Sequence, residues 1–180
     1  MAQNATIYKA HLEIADMDRH YYAEHPLTLA LHPSETLERM MLRVIGFALF
    51  ASERLEFTRG LCVDDEPDIW LKSYSDEIEL WIDVGLPSDK RIRKACNRSR
   101  KVKILCYGSD QALQPWLQSI HAERTRQRNL EIIHIPSDQS TALAKFAARG
   151  MHLQVNIQDA QLWLSSETQA LLIEPQILEL

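Results

Sequence analysis

Two short stretches of the 180-residue chain mirror each other, Asp68-Ile-Trp-Leu-Lys72 and Glu79-Leu-Trp-Ile-Asp83. Folding the chain between Ser75 and Asp76 sets Asp68 against Asp83, Trp70 against Trp81 and Lys72 against Glu79, with Ile69–Ile82 and Leu71–Leu80 on the other face. Side chains alternate along a strand with a period of two, so the pattern predicts an antiparallel ribbon with one apolar face. Opposite charges and aromatic pairs stabilise such a ribbon, whereas like charges directly opposite destabilise it. The Asp68–Asp83 pair therefore asks for a cation.

The rest of the chain bounds what the ribbon belongs to. A hydrophobic fraction of 46% and a charged fraction of 25% are those of a globular protein, and 180 residues suffice for one domain over 1–180 with a sizeable core. No apolar run approaches the roughly 20 residues of a membrane span. The opening Met-Ala-Gln-Asn-Ala-Thr lacks a basic and an apolar leader region. Cys62, Cys96 and Cys106 are odd in number and widely spaced, which predicts free thiols in a reducing cytoplasm and no zinc site. The net charge of −5 is uneven: Lys90 to Lys103 carries eight Lys or Arg and no acid, leaving −13 elsewhere. A basic patch on an acidic body fits one anionic ligand site and argues against general coating of nucleic acid.

Local patterns then place the elements. Alternation over 7–15 and 21–31, with a turn near 16–19, predicts an N-terminal β-hairpin. Ser34 is the expected cap of a helix running to about Glu53, whose apolar stripe includes Leu37, Met40, Met41, Val44 and Phe47, with Glu38 on its flank. Gly85-Leu-Pro87 ends the ribbon, and Ser88 with Asp89 opens a second helix that buries Ile92, Ala95, Cys96 and Ser99. Interior strands are expected at 101–107 and 130–135, helices at 112–123 and 142–148, and terminal strands at 153–157, 161–164 and 169–173. Alternating strands and helices predict an α/β (α+β) fold with a central mixed β-sheet flanked by helices.

The carboxylate pair suggests a metal. Mg²⁺ takes oxygen ligands at about 2.0–2.1 Å and keeps several waters, so two aspartates on neighbouring strands with a carbonyl such as that of Val84 would suit it. Just after Asp83, the N-terminal turns of the second helix bring Lys90, Arg91 and Lys94 to the same locality, where a helix terminus also favours anions. Metal, lysine and positioned water are the parts used in phosphoryl transfer. The competing readings are an aspartate pair splayed into solvent and an ordinary solvated helix face, the latter fitting Arg93 and Arg98.

At these residues the chain resembles the YaeQ family. The resemblance rests on Glu-Pro-Asp68-Ile-Trp-Leu, Leu-Trp-Ile-Asp83-Val-Gly-Leu-Pro and Lys90-Arg-Ile-Arg-Lys94-Ala-Cys. It extends to the opening hairpin, to Glu-Thr-Leu-Glu38-Arg-Met-Met-Leu and to the late Leu-Gln-Val-Asn-Ile-Gln-Asp-Ala-Gln-Leu-Trp-Leu. It implies a PD-(D/E)XK nuclease-like fold in which Asp68 and Asp83 bind metal, assisted by Glu38 on the preceding helix. The pattern's lysine is expected two residues after Asp83, where Gly85 stands, so Lys90 or Lys94 would have to replace it.

The expectation is a Mg²⁺- or Mn²⁺-dependent phosphodiesterase of nuclease type. Asp68, Asp83, Lys90 and Lys94 are its catalytic candidates, and Arg91 and Arg98 its nucleic-acid contacts. The alternative is a non-catalytic nuclease-fold module that binds nucleic acid or a protein partner, motivated by Gly85 and the acidic remainder. Neither reading involves a membrane. The seven histidines show no ligand spacing, and no Gly-rich phosphate loop is present. Trp70 and Trp81 read as a cross-strand packing pair, with base stacking the alternative, and Arg124, Arg126 and Arg128 as a solvated helix end.

Overall fold

The computed structural model describes residues 4–59 and 63–179. The opening alternation forms the expected hairpin of β1 (Thr6–Asp16) and β2 (Tyr21–Leu31), antiparallel from Thr6↔Leu31 to Asp16↔Tyr21. Helix α1 (Leu37–Phe50) is capped by Thr36 rather than Ser34 and stops short of Glu53. Thr36 Oγ1 accepts from the Arg39 amide at 3.1 Å, whereas the Ser34 hydroxyl is engaged by the His32 ring at 2.6 Å.

A short strand that local pattern does not reveal, β3 (Leu55–Phe57), precedes the mirrored ribbon of β4 (Ile69–Lys72) and β5 (Ile78–Val84). Ile69↔Ile82, Trp70↔Trp81 and Leu71↔Leu80 pair as the mirror predicts. The Lys72–Glu79 pairing does not form, because a bulge after Leu71 sets Lys72 against Ile78. The turn accounts for the slip: Asp76 adopts φ 62°, and Ser73 Oγ gathers the amides of Ser75 and Glu77. Glu79 lies 3.6 Å from Arg54 instead.

Helix α2 (Asp89–Arg98) begins as predicted, with Ser88 Oγ accepting from the Arg91 amide at 3.2 Å. Its buried face is Ile92, Ala95 and Cys96, while Ser99 opens β6 (Ser99–Cys106). The single helix expected at 112–123 is two, α3 (Asp110–Ser119) and α4 (His121–Arg126), separated at Ile120, whose ψ of 7° leaves the helical region as its side chain is buried. The chain continues through β7 (Leu130–His134) to α5 (Ser137–Leu143), which starts earlier than expected and tightens into a 3₁₀ turn at Ala144–Phe146. The last strands are β8 (Gly150–Gln158), β9 (Gln161–Ser165), β10 (Ala170–Ile173) and β11 (Gln176–Ile177).

The expected single central sheet is two mixed sheets. The first runs β10-β9-β8-β1-β2 and the second β11-β7-β6-β5-β4-β3. The opening hairpin therefore joins the terminal strands through a parallel β1–β8 pair and leaves the ribbon's sheet. Strand β5 is buried on both faces from Leu80 to Val84, and its period-two alternation divides the side chains between two cores. Leu80, Ile82 and Val84 of β5 join the core shared with α1 and the first sheet, while Trp81 joins a second core with Ile92, Leu113 and Trp116. The ribbon is thus sandwiched, and its polar end projects where α1, α2 and the Gly85–Pro87 turn meet.

Candidate functional site

A cavity of about 410 Å³ opens at that meeting point, lined among others by Arg39, Asp68, Asp83, Gly85, Arg91 and Tyr107. Asp68 precedes β4 but still belongs to the ribbon, since its amide donates to the Ile82 carbonyl at 3.1 Å. Asp68 and Asp83 are 4% and 2% exposed, so neither is splayed into water. Both Asp68 oxygens accept from Arg39 Nη2 at 2.9 Å, and Oδ2 also accepts from the Val84 amide at 2.8 Å. Asp83 is held by a two-pronged pair, Arg91 Nε to Oδ2 at 2.8 Å and Nη2 to Oδ1 at 2.9 Å. The cation that the like-charge pair asks for is present, and it is two guanidiniums.

Arg39 is positioned from both sides. Its Nη1 donates to Glu35 at 3.0 Å, and Nη2 also reaches the Val84 carbonyl at 3.0 Å. Arg43 completes the row by donating to both Glu35 oxygens at 2.9 Å. A buried carboxylate is tolerable only when paired and hydrogen-bonded, and each of these is. Burial pushes the Asp68 carboxyl up, Arg39 opposes the rise, and the neighbouring charge of Asp83 adds to it. Burial acts to lower the Arg91 guanidinium, but the hydrogen bonds and charge of Asp83 outweigh it and shift it up.

Gly85 explains the departure from the lysine pattern. Its φ is +116°, where side chains other than glycine are strained, and its amide donates to the Leu105 carbonyl at 2.9 Å. The turn that follows is pinned by Trp116, whose indole donates to the Pro87 carbonyl at 2.7 Å. A lysine at this point of the backbone would carry a conformational cost at the mouth of the cavity.

The structure brings together Asp68, Asp83 and Arg91 of the predicted residues, and adds Arg39. Glu38 does not line the cavity; its carboxylate accepts from the Ser140 hydroxyl at 2.7 Å. Lys90 is exposed and also off the lining. Lys94 pairs with Asp65, and Arg98 donates to the Asp65 carbonyl at 2.9 Å. Arg93, expected in solvent, reaches the buried Glu123 at 2.9 Å. Trp81 is fully buried, with the guanidinium carbons of Arg91 and Arg98 each 5.8 Å from its ring centre. Its indole is therefore a platform for arginines rather than for a base. Trp70 donates to Glu56 at 2.8 Å instead of stacking on Trp81.

The donor set does not fit a divalent cation as arranged. Every carboxylate oxygen of the pair already accepts from a guanidinium, and the two cations balance the two anions. Among the described residues no group of three or more His, Cys, Asp or Glu is placed to hold a metal. The thiols of Cys96 and Cys106 are unreactive by burial. Cys96 and Cys106 are free and buried, with burial pushing their pKa up to about 11 and about 12, while Cys62 lies outside the described residues.

A family model described as YaeQ protein matches residues 1–175. The chain belongs to the YaeQ family. It is 46% identical over 167 residues to the uncharacterized protein YaeQ of Escherichia coli K12, covering 93% of this chain and 92% of that protein. The solved YaeQ protein of Xanthomonas axonopodis pv. citri superimposes with a TM-score of 0.91 at 47% identity, over 96% of this chain and 97% of that one. The YaeQ protein of Pseudomonas syringae gives 0.92 at 33% identity, over 97% and 96%. Two mixed sheets flanked by helices are thus the YaeQ architecture in this chain as well. Among the described residues of this YaeQ-family chain, no helix is long and apolar enough to cross a membrane.

Proposed function

We propose that this YaeQ-family protein is a nuclease-like module, of PD-(D/E)XK type, that binds the phosphodiester backbone of nucleic acid without cleaving it. One observation supports this most: both carboxylates that a metal would need are instead bonded on each oxygen by Arg39 or Arg91. In this role Asp68 and Asp83 are positioning residues. A guanidinium has five N–H donors in a fixed fork, and holding two of them on a carboxylate aims the rest. Arg91 stands at the first turn of α2 beside the cavity, where a helix terminus also favours an anion.

The test is fluorescence anisotropy of a labelled single-stranded oligonucleotide in EDTA, with Mn²⁺ added in a parallel arm. The expected outcome is salt-sensitive binding in EDTA, unchanged by Mn²⁺ and without strand scission. Arg91→Ala should weaken it and lower the log–log salt slope by about 0.7. Absence of binding at low salt would refute the reading.

A second reading, a Mg²⁺- or Mn²⁺-dependent phosphodiesterase, is favoured by one feature. Asp68 and Asp83 line the same cavity closely enough that the charge of one raises the pKa of the other. It requires both guanidiniums to leave their carboxylates. Mn²⁺-dependent cleavage that disappears in Asp83→Ala would establish it and displace the first.

A further inference from the structure

Arg91, Lys94 and Arg98 lie at i, i+3 and i+7 on α2, one stripe with about 10 Å of rise from end to end. All three are turned onto one short acidic segment, residues 63–66, of sequence Val-Asp-Asp-Glu. Arg91 Nη1 donates to the Asp64 carbonyl at 3.3 Å and Nη2 to the Glu66 carbonyl at 2.8 Å. Lys94 pairs with the Asp65 carboxylate, and Arg98 Nη1 donates to the Asp65 carbonyl at 2.9 Å. Trp81 lies under Arg91 and Arg98, so the stripe is held in place from beneath as well.

The donor tally of Arg91 gives these contacts a meaning. Two of its five N–H groups hold Asp83 and two hold the backbone of 63–66. If the segment leaves, the Asp83 pair stays intact and three N–H groups are open to a ligand, two of them, one on Nη1 and one on Nη2, side by side as a fork that suits a phosphate. We infer that the basic stripe of α2 is the docking surface for a single-stranded phosphodiester chain, and that residues 63–66 are its built-in competitor. This rests on the phosphodiester-binding reading above and adds how the surface is kept covered. The charged part of the cover is weakly held, because Lys94, Arg98 and Asp65 are 38%, 43% and 71% exposed and exposed ion pairs contribute little, which leaves the Arg91 bonds to the Asp64 and Glu66 carbonyls as its main tie. A ligand that neutralises several cations at once also gains from counterion release, which the segment cannot match.

The experiment is oligonucleotide anisotropy at low salt on the full chain and on Asp64→Asn/Asp65→Asn/Glu66→Gln. A second variant, Glu13→Gln/Glu24→Gln/Glu167→Gln, removes the same formal charge from exposed positions on or beside the first sheet. The expected result is about two- to fivefold tighter binding for the first variant, of the size one exposed charge contact allows, and little change for the second. Adding Lys94→Ala and Arg98→Ala to the first variant should abolish the gain. Equal gains in both triple variants, or a gain that survives loss of Lys94 and Arg98, would overturn the inference. Unchanged affinity in the first variant would overturn it while leaving the phosphodiester reading standing, whereas no binding by any form would remove both.

Discussion

Arg39 stands between two buried carboxylates, Glu35 and Asp68, and is itself only 14% exposed along its side chain. Removing one member of a buried ion pair leaves an uncompensated charge, so Arg39→Ala should cost about 3–5 kcal/mol in chemical denaturation. The pH dependence has a definite sign. The Asp68 carboxyl is already raised in the folded state by burial, and losing Arg39 raises it further. A raised group favours folding while protonated and loses that contribution as pH rises through its folded pKa. The penalty of Arg39→Ala relative to the parent chain should therefore be largest near neutrality and shrink in acid; a constant penalty would count against the ion pair. Asp68 and Asp83 were legible in the sequence because opposed like charges on a ribbon demand a partner. Arg39 was not, since it pairs with a residue 29 positions away and, read locally, looks like any arginine four residues after a glutamate.

The register of β4 and β5 was legible up to Leu71 because apolar and aromatic residues alternate on both sides of the turn. It failed at Lys72, where the turn's own hydrogen bonds at Ser73 and the left-handed Asp76 decide the geometry. Helix α2 was legible from Ser88 and its narrow apolar stripe, while the start of α1 depended on which of two hydroxyls reached the Arg39 amide. Gly85 sets the end of the ribbon. A Cβ there meets no atom within 4 Å, so the cost of Gly85→Ala is backbone strain alone. That strain should lower stability by about 1–3 kcal/mol, read as a shifted denaturation midpoint with unchanged slope. A neutral effect would mean that the lysine pattern could be restored there without backbone change.

For the molecule as a whole, alternation shows that a strand is half-buried but not which sheet it joins. The parallel β1–β8 pair links residues more than 140 positions apart, and only packing around α1 makes that choice. This is why two sheets form where one was expected. The same packing carries α1 and its Arg39 to the ribbon's polar end, so the balance of charge in the cavity is a product of the tertiary fold. The central claim is that this balance already satisfies the carboxylate pair. Calorimetric titration of the full chain with Mn²⁺ at neutral pH tests it most directly: the account predicts no saturable binding at millimolar metal, and a stoichiometric site that vanishes in Asp68→Ala would contradict it.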